Sequence, residues 1–135
     1  MLAFALSAAM ALATSAPGET IEGYWLHPDG AIIIRVDSCG DDYCGTVTWA
    51  TDRAKLDART GVDSLVGAQL LSGFHQNSSG VWKGQIYIPD QDMHVSGRLQ
   101  PLDFNRLKLS GCTFGGLLCK TQVWTRSDRP VARAD

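Results

Sequence analysis

The chain has 135 residues and a formal net charge of −2, with 12 Lys and Arg against 14 Asp and Glu. This length allows one domain with a modest core. The basic residues form no stripe, which argues against nucleic acid as the main partner. The uncharged apolar run at residues 2–16 is shorter than the about 20 residues that span a bilayer, so no stable membrane insertion is expected.

This N-terminal run resembles the hydrophobic region of a secretory signal. Small residues stand at Ala11 and Ala13, and again at Thr14 and Ala16, where cleavage would take place. We therefore predict a signal peptide over residues 1–16 and a single domain over residues 17–135 of a periplasmic or secreted protein. The alternative interpretation is a packed N-terminal helix.

The first and last predicted strands contain a pair of motifs that suits a closed antiparallel barrel. Gly23-Tyr24-Trp25 opens the folded part of the chain, and Trp124-Thr125-Arg126 closes it. In a closed barrel these strands are neighbours, so the Arg126 guanidinium can cover the Trp25 indole, an interaction worth about 0.5–2 kcal/mol. We assign Gly23, Trp25 and Arg126 to barrel closure. The alternative is that both tryptophans are ordinary core residues and the arginine a surface cation.

Short β-like runs separated by turn residues fill the chain between these motifs. Asp29-Gly30 and the run from Asn77 to Gly80 are strong turn signals. Many short strands at nearly even spacing indicate an all-β barrel or sandwich. The polar stretch at residues 52–67 is expected to be one long loop with a single helical turn. The eight predicted strands lie at residues 21–26, 31–38, 44–51, 68–75, 81–88, 93–99, 106–110 and 119–126.

Apolar and polar residues alternate along these strands, which gives each strand one buried face. Ile34 and Val36 share such a face, and so do Val47 and Trp49. An eight-stranded barrel is just wide enough inside for side chains or for one small ligand. The inward residues that we predict to line a ligand site are Ile34, Val47, Trp49, Phe74, Trp82, Ile86 and Leu107.

The four cysteines form two local pairs in the sequence, Cys39 with Cys44 and Cys112 with Cys119. An even number of cysteines in a short exported chain indicates disulfides. Three pairings can be drawn, and the local one is favoured, with each bridge stabilising by roughly 2–3 kcal/mol. A zinc ion bound by all four thiolates is the rival interpretation, although neither pair has the tight spacing of most structural zinc sites.

Several strings of the sequence resemble the exported bacterial family called domain of unknown function 2147. They are Ile21-Glu22-Gly23-Tyr24-Trp25, Leu71-Ser72-Gly73-Phe74, Trp82-Lys83-Gly84-Gln85-Ile86-Tyr87 and Thr121-Gln122-Val123-Trp124-Thr125-Arg126. The resemblance implies a periplasmic, lipocalin-like, up-and-down barrel of eight antiparallel strands, without an established activity. The family often has a cysteine at Gly97 and a glycine at Cys119, so the resemblance also implies that Cys112 pairs with Cys119 here.

The sequence shows no arrangement that predicts catalysis. It lacks the Gly-x-Ser-x-Gly motif of a nucleophilic serine, and His27, His75 and His94 lie on distant segments. We therefore expect no metal, no cofactor and no enzyme activity; an enzyme that uses the barrel mouth is the least favoured hypothesis. The first hypothesis is a lipocalin-like protein that holds a small apolar or amphipathic ligand. The second is a periplasmic protein-interaction or envelope-stress module, which a filled barrel would favour.

Overall fold

The computed structural model describes residues 21–113 and 118–132, and the predicted signal peptide over residues 1–16 lies outside the described residues. Within these described residues, all eight predicted strands are present, together with one short α-helix and two 3-10 helices. The elements are β1 (Gly23–Leu26), β2 (Ile32–Cys39), β3 (Asp42–Ala50), α1 (Asp52–Asp57), a 3-10 helix (Ala58–Thr60), β4 (Gln69–Gln76), β5 (Trp82–Ile88), a second 3-10 helix (Pro89–Gln91), β6 (Met93–Asp103), β7 (Arg106–Thr113) and β8 (Leu118–Ser127).

The strands form one closed antiparallel barrel in sequence order. Each strand pairs with the next along the chain, and β8 pairs with β1 through Trp25 and Arg126. The turns form where the sequence predicts them: the Asp29 carboxylate accepts the Ala31 N–H at 2.8 Å, and the Asn77 side chain accepts the Val81 N–H at 3.0 Å. The predicted all-β, eight-stranded, lipocalin-like barrel is confirmed.

The two ends of the barrel differ in how they are filled. We call the end with the β2–β3, β4–β5 and β6–β7 hairpins the filled end, and the opposite end the open end. Large side chains occupy the barrel axis towards the filled end, and the Trp25 indole N–H donates to the Ile21 carbonyl at 2.8 Å. The most deeply buried of these side chains are Trp25, Val36, Val47, Phe74, Leu99 and Leu107, each no more than 1% exposed.

Two inward positions without side chains make room for this packing. Gly84 and Gly97 are directly paired across β5 and β6. A Cβ atom at Gly84 would lie 2.7 Å from the Phe74 ring and 2.6 Å from the Ser72 carbonyl oxygen, both closer than such contacts permit. The Phe74 ring therefore depends on a glycine beneath it.

A β-bulge in β3 breaks the alternation predicted for Val47 and Trp49. Ile34 pairs with Val47 while Ile33 pairs with Trp49, so one extra residue is inserted at Thr48. Val47 and Ala50 consequently belong to the core, whereas Trp49 is half-buried and lies outside the core cluster. The expectation that Val47 and Trp49 share an inward face is therefore wrong.

Residues 51–68, which we call the cap segment, cross the open end. Thr51 begins α1 by accepting the Ala54 N–H on its side-chain oxygen at 3.1 Å. Ala58 and Leu65 are buried in the same core cluster as the barrel interior. The long loop with one helical turn is thus present, and its apolar residues fasten it to the barrel.

At the filled end, the Arg126 guanidinium joins the first strand to the last. Its central carbon lies 4.3 Å from the centres of both the Trp25 and the Phe104 rings. Its Nη1 donates to the Glu22 carbonyl and its Nε to the Phe104 carbonyl, each at 2.6 Å. Burial lowers the pKa of Arg126. Gly23, with φ of 123°, leaves the space that the guanidinium occupies.

Both local cysteine pairs are disulfides in the structure, Cys39 with Cys44 across the β2–β3 hairpin and Cys112 with Cys119 across the β7–β8 hairpin. Paired cysteines fit an oxidising, extracytoplasmic environment. Within residues 21–113 and 118–132, no helix has the length and apolarity needed to cross a membrane.

Candidate functional site: the barrel cavity

A cavity of about 670 Å³ occupies the barrel interior at the open end, beneath the cap segment. Small-molecule sites in proteins are usually concave, mostly apolar and between about 300 and 1,000 Å³ in volume. The cavity is within this range, and the filled end of the barrel forms its floor.

Side chains from six strands, β2 and β4–β8, supply the cavity wall, together with His27 just beyond β1. The indole of Trp124 forms one side, and its N–H donates to the Gln122 side-chain oxygen at 3.1 Å. Because that donor is satisfied, the ring presents an apolar surface. Ala58 and Leu65 of the cap segment add apolar contacts from above. The apolar strand residues that line the cavity include Ile32, Ile34, Leu70, Leu71, Ile86, Ile88, Met93, Val95 and Leu109.

The residues predicted from sequence to line a ligand site fall into three groups. Ile34 and Ile86 line the cavity. Val47, Phe74, Trp82 and Leu107 are buried in the core towards the filled end. Trp49 faces away from the interior because of the β3 bulge. The structure thus brings six of the seven into one core, and the role of each in binding stays a prediction.

The open end carries a rim of polar residues that the sequence interpretation did not assign to the site. His27 Nδ1 lies 2.6 Å from Asp29 Oδ1, and the His27 ring packs edge-on against Trp124 at 4.9 Å between ring centres. Arg53 pairs with Asp57 at 3.2 Å on one face of α1. His27 and Arg53 thus both have a carboxylate partner.

Tyr87 connects the cap segment to the turn between β5 and β6. Its hydroxyl lies 2.6 Å from Asp92 Oδ1 and 3.1 Å from the Gly61 carbonyl oxygen. The hydrogen bond to Asp92 raises the pKa of Tyr87, and burial and the Asp92 charge act in the same direction. A Cβ at Gly61 would collide with the Tyr87 hydroxyl, so the glycine permits this close approach.

Two further polar residues line the cavity from β8, Gln122 and Lys120. They alternate with the buried Trp124, so the same face of the strand runs from apolar near the floor to charged at the rim. This alternation is visible in the sequence as Lys120-x-Gln122-x-Trp124, and it would have identified Lys120 and Gln122 as residues on the inward face of β8. Within the described residues, no three His, Cys, Asp or Glu side chains come together as a metal ion requires.

A closed antiparallel barrel with one filled end, and a capped apolar cavity at the other, defines a protein of the lipocalin-like class. The family described as "Uncharacterized protein conserved in bacteria (DUF2147)" matches residues 23–126, from the first residue of β1 to the penultimate residue of β8. The chain belongs to this family, which confirms the resemblance noted in the sequence. Comparison with curated proteins gives no match, and neither does comparison with solved structures.

Proposed function

We propose that this protein is an exported, non-enzymatic binding protein that holds one small apolar or amphipathic molecule inside its barrel. The observation that carries the proposal is the cavity of about 670 Å³ lined by apolar residues of the strands. A barrel interior that only stabilised the fold would be filled along its whole length, because protein interiors are close-packed.

The apolar wall would supply most of the affinity. Burying about 250 Å² of apolar ligand surface, and a similar area of the wall, contributes about 12 kcal/mol at about 25 cal/mol per Å². Loss of translational and rotational freedom opposes binding by several kcal/mol. The expected Kd for a ligand that fits is therefore on the order of micromolar.

Three observations support an exported location. The chain belongs to a bacterial family, and its two disulfides require an oxidising compartment to form and persist. The third is the charge-free apolar run at residues 2–16, interpreted as a signal peptide. The periplasm is the compartment that accommodates all three.

The cavity favours a small ligand over a protein partner, because the protein-interaction hypothesis expects a filled barrel. A non-enzymatic role is supported by the way the rim residues pair. His27 is engaged by Asp29, and Tyr87 by Asp92 and the Gly61 carbonyl. Within the described residues, no hydrogen bond joins His27 or Tyr87 to the side chain of a serine, threonine or cysteine that could act as a nucleophile.

The test combines a retained ligand with a defined probe. Native mass spectrometry of the mature protein, purified gently from a periplasm, is expected to show an extra mass of a few hundred daltons that disappears on denaturation. Isothermal titration calorimetry with dodecanol is expected to give a Kd on the order of micromolar.

Two matched variants locate the ligand. Leu109→Trp adds bulk inside the cavity, and Val123→Trp adds bulk on the outer face of the neighbouring strand. Leu109→Trp should weaken dodecanol binding at least tenfold, whereas Val123→Trp should leave it unchanged. A wild-type protein that carries no extra mass and does not bind dodecanol would overturn the proposal.

A further inference from the structure

We infer that the ligand is an amphiphile with an anionic head group, which Lys120 binds at the rim while the apolar chain occupies the cavity. This inference rests on the proposed function and specifies its ligand class. It starts from the inward face of β8, where Lys120, Gln122 and Trp124 line the cavity in succession. An ammonium group beside an apolar pocket matches a ligand that is apolar at one end and negatively charged at the other.

The apolar wall of the cavity reaches the position next to Lys120. The residue paired with Lys120 on β7 is Gly111, which also lines the cavity and has no side chain to cover the lysine. The atoms nearest to a Cβ placed at Gly111 would belong to Val95, at 3.2 Å, and Ile86, at 3.5 Å. Val95 and Ile86, which belong to the apolar wall, therefore pack over Gly111 and bring that wall up to the position next to Lys120, so one molecule in the cavity can touch both.

Of the three Lys, Arg and His side chains that line the cavity among the described residues, Lys120 is the one without a carboxylate partner. Arg53 is paired with Asp57, and His27 with Asp29. Within the described part of the chain, no carboxylate lies within 4.0 Å of the Lys120 ammonium nitrogen. An anionic head group would give this ammonium the kind of partner that Arg53 and His27 already have in Asp57 and Asp29.

Gln122 adds a second polar contact one step deeper on the same face. Its side-chain oxygen accepts the Trp124 indole N–H at 3.1 Å, which leaves the amide nitrogen as a hydrogen-bond donor. A carboxylate oxygen accepts hydrogen bonds from both an ammonium and an amide N–H. Lys120 and Gln122 thus present donors. Of the three carboxylates that line the cavity, Asp29 and Asp57 pair with His27 and Arg53, and the third, Asp90, lies in the second 3-10 helix.

The test compares probes that share one apolar chain and differ in head group: dodecanoate, dodecanol and dodecyltrimethylammonium. Calorimetric titrations below the aggregation concentration of each probe are expected to give dodecanoate a Kd about five- to tenfold lower than that of dodecanol, since only the carboxylate forms an ion pair with Lys120. The difference is limited to this range because Lys120 is exposed and solvent partly screens the ion pair. Dodecyltrimethylammonium should bind most weakly. Added salt should reduce the preference for dodecanoate.

Lys120→Met keeps the length of the side chain and removes its charge, so it should abolish the preference for dodecanoate by raising the Kd of dodecanoate about five- to tenfold more than that of dodecanol. Lys120→Gln should do the same. Lys83→Met is the matched control, since it removes the same charge from an exposed position on the outer face of β5. It should leave the binding of all three probes unchanged.

The outcomes separate this inference from the proposed function. If the wild-type protein binds dodecanoate and dodecanol equally, or if Lys120→Met weakens both to the same extent, the head-group assignment is overturned while ligand binding in the cavity stands. A preference for dodecyltrimethylammonium would also overturn it and would indicate the rim carboxylates, Asp90 among them. If the wild-type protein binds none of the probes, the head-group assignment is overturned, and the proposed function falls with it if native mass spectrometry also shows no extra mass.

Discussion

Replacing Arg126 by alanine should destabilise the barrel by about 2–3 kcal/mol. The cation–π contact with Trp25 at 4.3 Å contributes about 1 kcal/mol, and the contact with the exposed Phe104 ring contributes less. The hydrogen bonds to the Glu22 and Phe104 carbonyls come from a charged donor. Because water reaches both carbonyls, each bond adds only about 0.5–1 kcal/mol.

Urea unfolding followed by tryptophan fluorescence measures this loss, and the Tm should fall by about 10 °C for a domain of this size. Arg126→Lys keeps the charge but loses the planar fork, so it should cost about half as much. Arg98→Ala is the control, since Arg98 is exposed on the outer face of β6, and it should change stability by less than about 0.5 kcal/mol. If Arg126→Ala unfolds within about 0.5 kcal/mol of the wild type, barrel closure depends on the strand hydrogen bonds alone and the reasoning is refuted.

Three further predictions concern the two ends of the barrel. Gly23→Ala should lower the free energy of unfolding in urea by about 2–3 kcal/mol, and Gly67→Ala by about 1 kcal/mol. Both glycines have positive φ (123° and 93°), but only a Cβ at Gly23 would meet the Arg126 guanidinium, at 2.6 Å. Equal losses of stability in the two variants would contradict the steric argument. The raised pKa of Tyr87 means that its hydroxyl stabilises the fold fully below the ordinary tyrosine pKa of about 10 and loses this contribution as the pH rises through the folded value. Tyr87→Phe should therefore lose less stability than the wild type on going above about pH 10, as measured by unfolding across that range, and an identical alkaline loss would argue against the hydrogen bond. Replacing Cys112 and Cys119 together by alanine should cost about 2 kcal/mol and weaken dodecanol binding, whereas removing the disulfide at the filled end should cost about as much stability and leave the calorimetric Kd unchanged.

The sequence predicts the barrel well because its signals are local. The alternation of Ile32, Ile34 and Val36 marks the inward face of β2, and Asp29-Gly30 marks the turn before it. The pairing of the chain ends is also readable, since the first and last strands are neighbours in a closed up-and-down barrel and bring Trp25 and Arg126 together. The strand bounds differ from the prediction by only a few residues.

The position of the cavity could not be predicted from the sequence, because it depends on how side chains from distant strands share one volume. The Phe74 ring fits into the core because Gly84 and Gly97, on β5 and β6, have no Cβ atom that would collide with it. The orientation of Trp49 depends on one inserted residue in β3, which reverses the face of the positions after it and leaves no mark in the apolar pattern.

The division of the barrel into a filled end and an open end has a consequence for how the chain tolerates substitution. Trp25 and Phe74 at the filled end are fully buried, whereas Val95 and Leu109 beside the cavity retain 7% exposure. Truncating a side chain in a close-packed region opens a new void, but truncating one that already borders a void removes fewer contacts. Side chains around the cavity can therefore vary, and with them the ligand, while the side chains at the other end keep the strands in register.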